Sequence, residues 1–287
     1  MGKGRKSRWE ETSISDGIGE VKLFSWRYFM DFVYQRMLDY ETYIWRGQRC
    51  DDWALEPTLD RLTRKLRGSK AAFRSEHLVR FKFAARGRRG ANPPRIEDED
   101  DWWALGQHHG LATPLLDWTA SPFVAAYFAF ISLGTPQTKA RAIFALHLPT
   151  VEEKVKRLIA EERERREERK KRIAEGATVG ILRRVMLDLP IRPEVKFIRP
   201  MSDENQRLVT QGGLFSRAPN DTSIETWVKK NCAGEKKYVL MKILAPNSDR
   251  EYSLRTLNRM NINHLSLFPD LYGASAYSNL FSQIEKY

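Results

Sequence analysis

Two short blocks hold most of the residues able to do chemistry. The first is Trp45-Arg46-Gly47-Gln48, followed closely by Trp53 to Arg61. The second runs from Gln107-His108-His109-Gly110 through Asp117-Trp118-Thr119 and Ser121-Pro122 to Ala129. An arginine brings five fixed donors and a permanent charge suited to a phosphate or pyrophosphate, and an adjacent glycine permits close backbone approach. Arg46 also has a structural reading, with Asp117 as its mate, because a buried arginine needs a partner. Gln107, His108 and His109 can bind a ligand or hydrogen-bond within a core. Ser121-Pro122 is accounted for by a helix start alone.

Other chemistries lack their patterns. No GxxxxGK[ST] occurs and no GxGxxG follows a strand, which argues against a P-loop NTPase or a dinucleotide-binding α/β domain. Asp117, Ser121 and a histidine could form a hydrolytic triad, but no GxSxG elbow surrounds the serine. His108 and His109 are adjacent and diverge on any helix, so no metal site is expected of them. Cys50 and Cys232 are the only cysteines and stand far apart, which points to a reducing cytoplasm without disulfides or structural zinc.

Hydrophobic residues make up 41 % of the 287, enough for a sizeable core, and the formal net charge is +12. That charge has an address. Between Arg61 and Arg95 stand twelve Lys or Arg and one acid, Glu76. Such a surplus favours nucleic acid or another polyanion, with Arg80, Lys82, Arg86, Arg88 and Arg89 as the contacts and Phe81 and Phe83 either stacking on bases or packing inward. The competing reading is a solvated face neutralised by the acidic run Glu97 to Asp101. The least charged stretch, Trp118 to Thr138, is strongly apolar only over Phe123 to Leu133, eleven residues that cannot span a bilayer. No membrane contact is expected.

The elements that must carry these residues can be read from spacing. Helices are expected at Phe24 to Met37, Pro57 to Arg67, Ser69 to Ala85, Trp102 to His109, Pro122 to Ser132 and Ser248 to Met260, the last opened by a Ser248…Glu251 capping box. Strands are expected at Tyr43 to Trp45, Ala142 to Leu148, Val195 to Ile198 and Tyr238 to Leu244. Thr150 to Glu175 carries ten basic and eight acidic residues, with Thr150…Glu153 as a capping box and no apolar face in its middle, so it reads as a protruding helix inserted over 150–176. The alternation lacks a regular βαβ repeat, which predicts an α+β fold: a single domain over 21–287 with a small split or mixed sheet flanked by helices, behind a basic, flexible segment 1–20.

The two blocks together resemble the FRG domain family, marked by an aromatic-Arg-Gly motif and a QHxGxxTxLLDWTxSPxxAxxFA block. The resemblance extends to Asn205 through Phe215 and to Leu267-Phe-Pro-Asp-Leu-Tyr-Gly273, covering about residues 24 to 280. Pro114 stands where the family usually has Arg. An Arg-Gly at a strand end, followed by a Thr/Ser turn opening a helix, also looks like the start of an ADP-ribosyltransferase fold. That resemblance implies an NAD-dependent transferase acting on a nucleic-acid or protein acceptor, one setting for which is a bacterial or phage-defence toxin. It implies that Arg46 contacts the phosphate or ribose of NAD, that Gly47 offers backbone groups to its carboxamide, and that Gln48, Gln107, His108 and Asp117 surround it. Thr119 and Ser121 would shape the turn. The fold's later acidic residue has no clear match: Gln211 stands in the most similar context, and Glu251, available by sequence order, is better explained as the third residue of its capping box. The alternative is a non-catalytic nucleotide- or nucleic-acid-binding domain.

Overall fold

The computed structural model describes residues 7–36, 42–132, 138–175, 187, 191, 194–199 and 211–287. Residues 205–210 of the expected Asn205 to Phe215 segment, and the first six residues, lie outside these. Among the described residues, eight strands form one sheet: β1 (Trp9–Glu11), β2 (Ile18–Leu23), β3 (Tyr43–Gln48), β4 (Leu116–Thr119), β5 (Ala140–His147), β6 (Lys196–Ile198), β7 (Gly213–Arg217) and β8 (Leu240–Pro246). Their order is β1-β2-β8-β5-β3-β4-β7-β6. The β2–β8 pair is parallel and the other neighbours are antiparallel, so the sheet is mixed and the fold is α+β.

The helices among the described residues are α1 (Tyr28–Arg36), α2 (Thr58–Thr63), α3 (Lys70–Ala84), α4 (Glu99–His108), α5 (Pro122–Ile131), α6 (Leu148–Ala174), α7 (Ile224–Asn231), α8 (Arg250–Arg259), α9 (His264–Leu267) and α10 (Leu271–Gln283). Among the described residues, no helix is long and apolar enough to cross a membrane.

Alternate strand residues face opposite sides of a sheet, and here the sides have different covers. One side, with Ile44, Leu116, Trp118 and Leu214, packs on the first turns of α6 and on α7. Beyond β3, on the other side, α1, α5 and α8 bury Trp45 and Ala145. At the β4-β7-β6 end of that side, α2, α3 and α4 bury Leu115, Phe215 and Ile198 in a separate cluster. Between the two helical covers the middle of the sheet is left partly open.

Several expectations change on contact with the structure. Residues 9–11 and 18–20 lie in strands, so the described part of the 1–20 segment is an edge of the sheet rather than a loose tail. Pairing with β8 through Ile18↔Leu240 and Gly19↔Met241 ties it down. The charged helix starts at Leu148, two residues before Thr150, because Pro149 suits the first turn and His147 caps it, its Nδ1 accepting from the Thr150 N–H at 3.3 Å. From Glu161 to Glu175 none of its residues is buried, so this part stands out in solvent. The Ser248…Glu251 capping box is absent: a 3-10 turn at Asn247–Asp249 precedes α8, whose Asp249 cap makes no side-chain cap bond. Asp249 is engaged elsewhere, accepting from Ser25 Oγ at 2.8 Å and the Trp26 N–H at 2.7 Å.

Candidate functional site

The cleft opens where the sheet comes apart. β3 and β4 share one registered pair, Trp45↔Thr119, whereas β3 pairs with β5 over six residues and β4 with β7 over four. Beyond that pair the strands diverge, and the Arg46 guanidinium enters the gap: its Nη1 donates to the Asp117 carbonyl oxygen at 2.8 Å and meets Asp117 Oδ2 at 3.4 Å. The arginine thus supplies a donor where the backbone ladder has stopped. The resulting cavity of about 390 Å³ is lined by Arg46, Gln107, His108, Asp117, Gln211 and the aromatic rings named below.

Each wall follows from local sequence. The helix α4 begins at Glu99 because Asp98 caps it, accepting from the Asp100 N–H at 2.8 Å, and three acids in the first turn favour the positive end of the helix. Gly110, at φ +86°, ends it. Gln107 in its last turn donates from Nε2 to Asp117 Oδ1 at 2.6 Å and accepts from the Thr113 hydroxyl. A chain of contacts Thr113–Gln107–Asp117–Arg46 therefore links positions of the second block to the first. Trp118 points to the opposite side, where its Nε1 donates to Ser216 Oγ at 2.7 Å and locks β4 to β7.

On the other wall, Ser121 caps α5 by accepting from the Val124 N–H at 3.3 Å, and Pro122 occupies the first turn. Gly47 sits directly beneath α5, where a Cβ would lie 1.9 Å from the Ala125 carbonyl oxygen and 2.5 Å from the Ala129 nitrogen. Its lack of a side chain lets helix and strand meet. The Phe128 and Phe268 rings line this wall, with centroids 6.1 Å apart and edge to face, and Phe268 stacks on His264 at 4.9 Å. Burial pulls the His264 pKa down, and its Nδ1 faces the Tyr127 hydroxyl at 2.5 Å.

Of the residues read from sequence, Arg46, Gly47, Gln107, His108, Asp117, Thr119 and Gln211 all line the cleft. Thr119 is committed to the turn: its hydroxyl donates to the Gln211 carbonyl at 2.6 Å and accepts from the Ser121 N–H at 3.1 Å. Gln211 Nε2 donates to the Leu267 carbonyl at 3.2 Å, tying the entry of β7 to α9. Ser121 and Gln48 are not brought into the lining; Gln48 is buried and donates to the Ala54 carbonyl at 3.3 Å. Trp45, Phe128, Phe215 and Phe268 join the site without having been singled out for it. The position of Phe268 inside the Leu267 to Gly273 segment was the signal available for it.

The basic segment folds into α2, α3 and the following loop. Arg64 pairs with Glu56, Arg74 is buried against Asp60 at 2.9 Å, Lys70 meets Asp221 at 3.0 Å and Arg80 meets Glu76 at 2.6 Å. Arg80 is thereby spent locally. Lys82 lies over Trp102 at 5.6 Å, Arg86 over Phe83 at 4.7 Å and Arg89 over Trp102 at 5.2 Å, while Arg88 donates to the Ala84 carbonyl at 2.7 Å. Phe81 packs into the core and Phe83 is exposed.

The acidic run is directed elsewhere. Asp100 accepts from Lys196 and, at 2.8 Å, from Arg217; burial alone would raise its carboxyl, but these two donors outweigh that and hold it below the ordinary range. Glu99 meets Arg217 at 3.5 Å and Asp98 meets Lys196 at 3.6 Å. Glu97 does meet Arg95, at 3.5 Å, with both side chains exposed. Most of the run thus anchors β6 and β7 instead of neutralising α3.

Residues 41–137 match the family model of the FRG domain, a stretch that includes both sequence blocks. The match stops short of the Asn205 to Phe215 and Leu267 to Gly273 segments, although the structure brings Gln211, Gly213, Phe215 and Phe268 to the same cleft. No curated protein and no solved structure matches the chain.

Proposed function

We propose that this FRG-domain chain is an NAD-dependent enzyme of the ADP-ribosyltransferase kind, working in the cleft between β3 and β4. The observation that carries the reading is the make-up of the lining, which gathers the Arg46 guanidinium, the Asp117 carboxylate, Gln107 and Gln211 with the Phe128 and Phe268 rings around one cavity. NAD offers phosphate, ribose and carboxamide oxygens together with flat rings, and the cleft sets an arginine on one side against Phe128 and Phe268 on the other. A volume near 390 Å³ falls within the range of small-ligand sites. NAD is here the substrate: it supplies the ADP-ribose to be moved and nicotinamide as the leaving group.

In this reading the acceptor approaches over α3. Lys82, Arg86 and Arg88 pair with no acid among the described residues, and beside them Phe83 is 60 % exposed. Charge with an exposed ring suits a single-stranded nucleic acid. The experiment is to incubate the protein with NAD labelled in its adenylate phosphate, with and without total RNA, and to follow nicotinamide release and label transfer. Nicotinamide release supports the enzyme. Saturable binding of NAD without any release would assign the cleft to a nucleotide-binding domain instead.

A further inference from the structure

We infer that Asp117 is the catalytic carboxylate of this cleft, an assignment that rests on the NAD reading above. Transfer of a sugar from nicotinamide needs a negative charge near the anomeric carbon, both to stabilise its developing positive charge and to take a proton from the acceptor. Gln211 cannot supply it, since an amide carries no charge. Asp117 is the one carboxylate in the lining of the cleft among the described residues. It lies on β4, next to the arginine strand, rather than on a later strand.

Its surroundings fit a working group better than a structural one. In the Arg46–Asp117 pair the arginine side chain is the enclosed member, at 19 % exposure, while the aspartate is 62 % exposed. A carboxylate so exposed adds little to stability through its ion pair. Even so, it is held at both oxygens, Oδ1 by Gln107 Nε2 at 2.6 Å and Oδ2 by Arg46 Nη1 at 3.4 Å. Gln107 is itself fixed by the Thr113 hydroxyl, and Thr113 is buried. Two donors on one exposed carboxylate fix its direction, and Asp117↔Phe215 in the β4–β7 register leaves it on the cleft side of the sheet.

The step balances without a further reagent. The acceptor oxygen, from water or a nucleic-acid hydroxyl, bonds to the anomeric carbon and passes its proton to the Asp117 carboxylate. The bond from that carbon to the nicotinamide nitrogen breaks, and its electron pair leaves with nicotinamide, cancelling the ring's positive charge. The proton then returns to solvent.

The test compares wild type with Asp117→Asn and Asp117→Ala in three measurements: nicotinamide release in water and with total RNA, calorimetric affinity for NAD, and melting temperature. Asn keeps the shape and the Gln107 contact once its amide turns, so the protein should melt within about 2 °C of wild type. Release should fall at least 100-fold in both variants while the affinity of Asp117→Asn for NAD changes less than about threefold. Release retained within tenfold in Asp117→Asn overturns the assignment and leaves the NAD reading standing. A wild type that binds NAD but releases nothing, or does not bind it at all, overturns both.

Discussion

Replacing Gly47 with Ala separates a packing role from a ligand-facing one. The added Cβ would fall 1.9 Å from the Ala125 carbonyl oxygen, against an ordinary contact of 3.4 Å or more, so strand and helix must part by about 1.5 Å, the difference of those two distances. The clashing atoms are backbone, which cannot turn aside like the tip of a side chain. Ordinary overpacking costs about 1–3 kcal/mol, and forcing α5 off β3 also opens contacts around Trp45 and Phe130, both fully buried. The expected loss is therefore at or above about 3 kcal/mol. Urea denaturation followed by tryptophan fluorescence measures it as a lower midpoint with little change in slope. A glycine needed merely to let a ligand approach would leave stability intact and abolish binding, so a Gly47→Ala protein within about 0.5 kcal/mol of wild type would refute the packing argument.

Two further outcomes follow from charge placement. Asp100 is held below the ordinary carboxylate range when folded, so its contribution is fully present above pH 4 or so and fades as pH falls through the folded value; Asp100→Asn should cost about 1–3 kcal/mol at pH 7, and the gap to wild type should close below pH 4, whereas a constant gap from pH 7 to 3 would show that the Lys196 and Arg217 contacts carry no weight. Arg86→Ala, Arg88→Ala and Arg89→Ala combined should weaken binding to single-stranded RNA and lower the slope of log affinity against log salt by up to about three units; an unchanged slope in fluorescence anisotropy would return this face to ordinary solvated surface.

How far the sequence led differs by element. The two blocks were legible because side-chain chemistry is concentrated in them: an arginine beside a glycine, and a Gln…Thr…Asp series whose members prove to be hydrogen-bonded to one another. The interior helix Pro122–Ile131 was legible from its Ser-Pro start and apolar run. The strand β4 was not, because four residues opened by Leu116 and closed by a Thr-Ser turn are too short to show a period of two. The strands β1 and β2 were hidden by their polar residues; β1 is the edge and pairs with β2, whose position is set by β8, more than 200 residues away in the chain. Gly47 was read for its openness to a ligand, whereas the helix that presses on it comes from the other block, a relation no local pattern reveals. The aromatic wall was missed for the same reason: Phe128 and Phe268 meet across 140 residues of chain.

In the proposed function, the cleft between β3 and β4 holds NAD through Arg46. This is tested most directly by calorimetric titration of NAD into the wild-type protein and into Arg46→Gln, which keeps part of the stem and removes the charge. Losing a charged hydrogen bond of about 1.5–3 kcal/mol corresponds to a roughly 10- to 100-fold rise in Kd. Saturable one-site binding to the wild type is expected, weakened by that factor in the variant. Equal affinity in the two proteins, or no heat of binding in either, would contradict it.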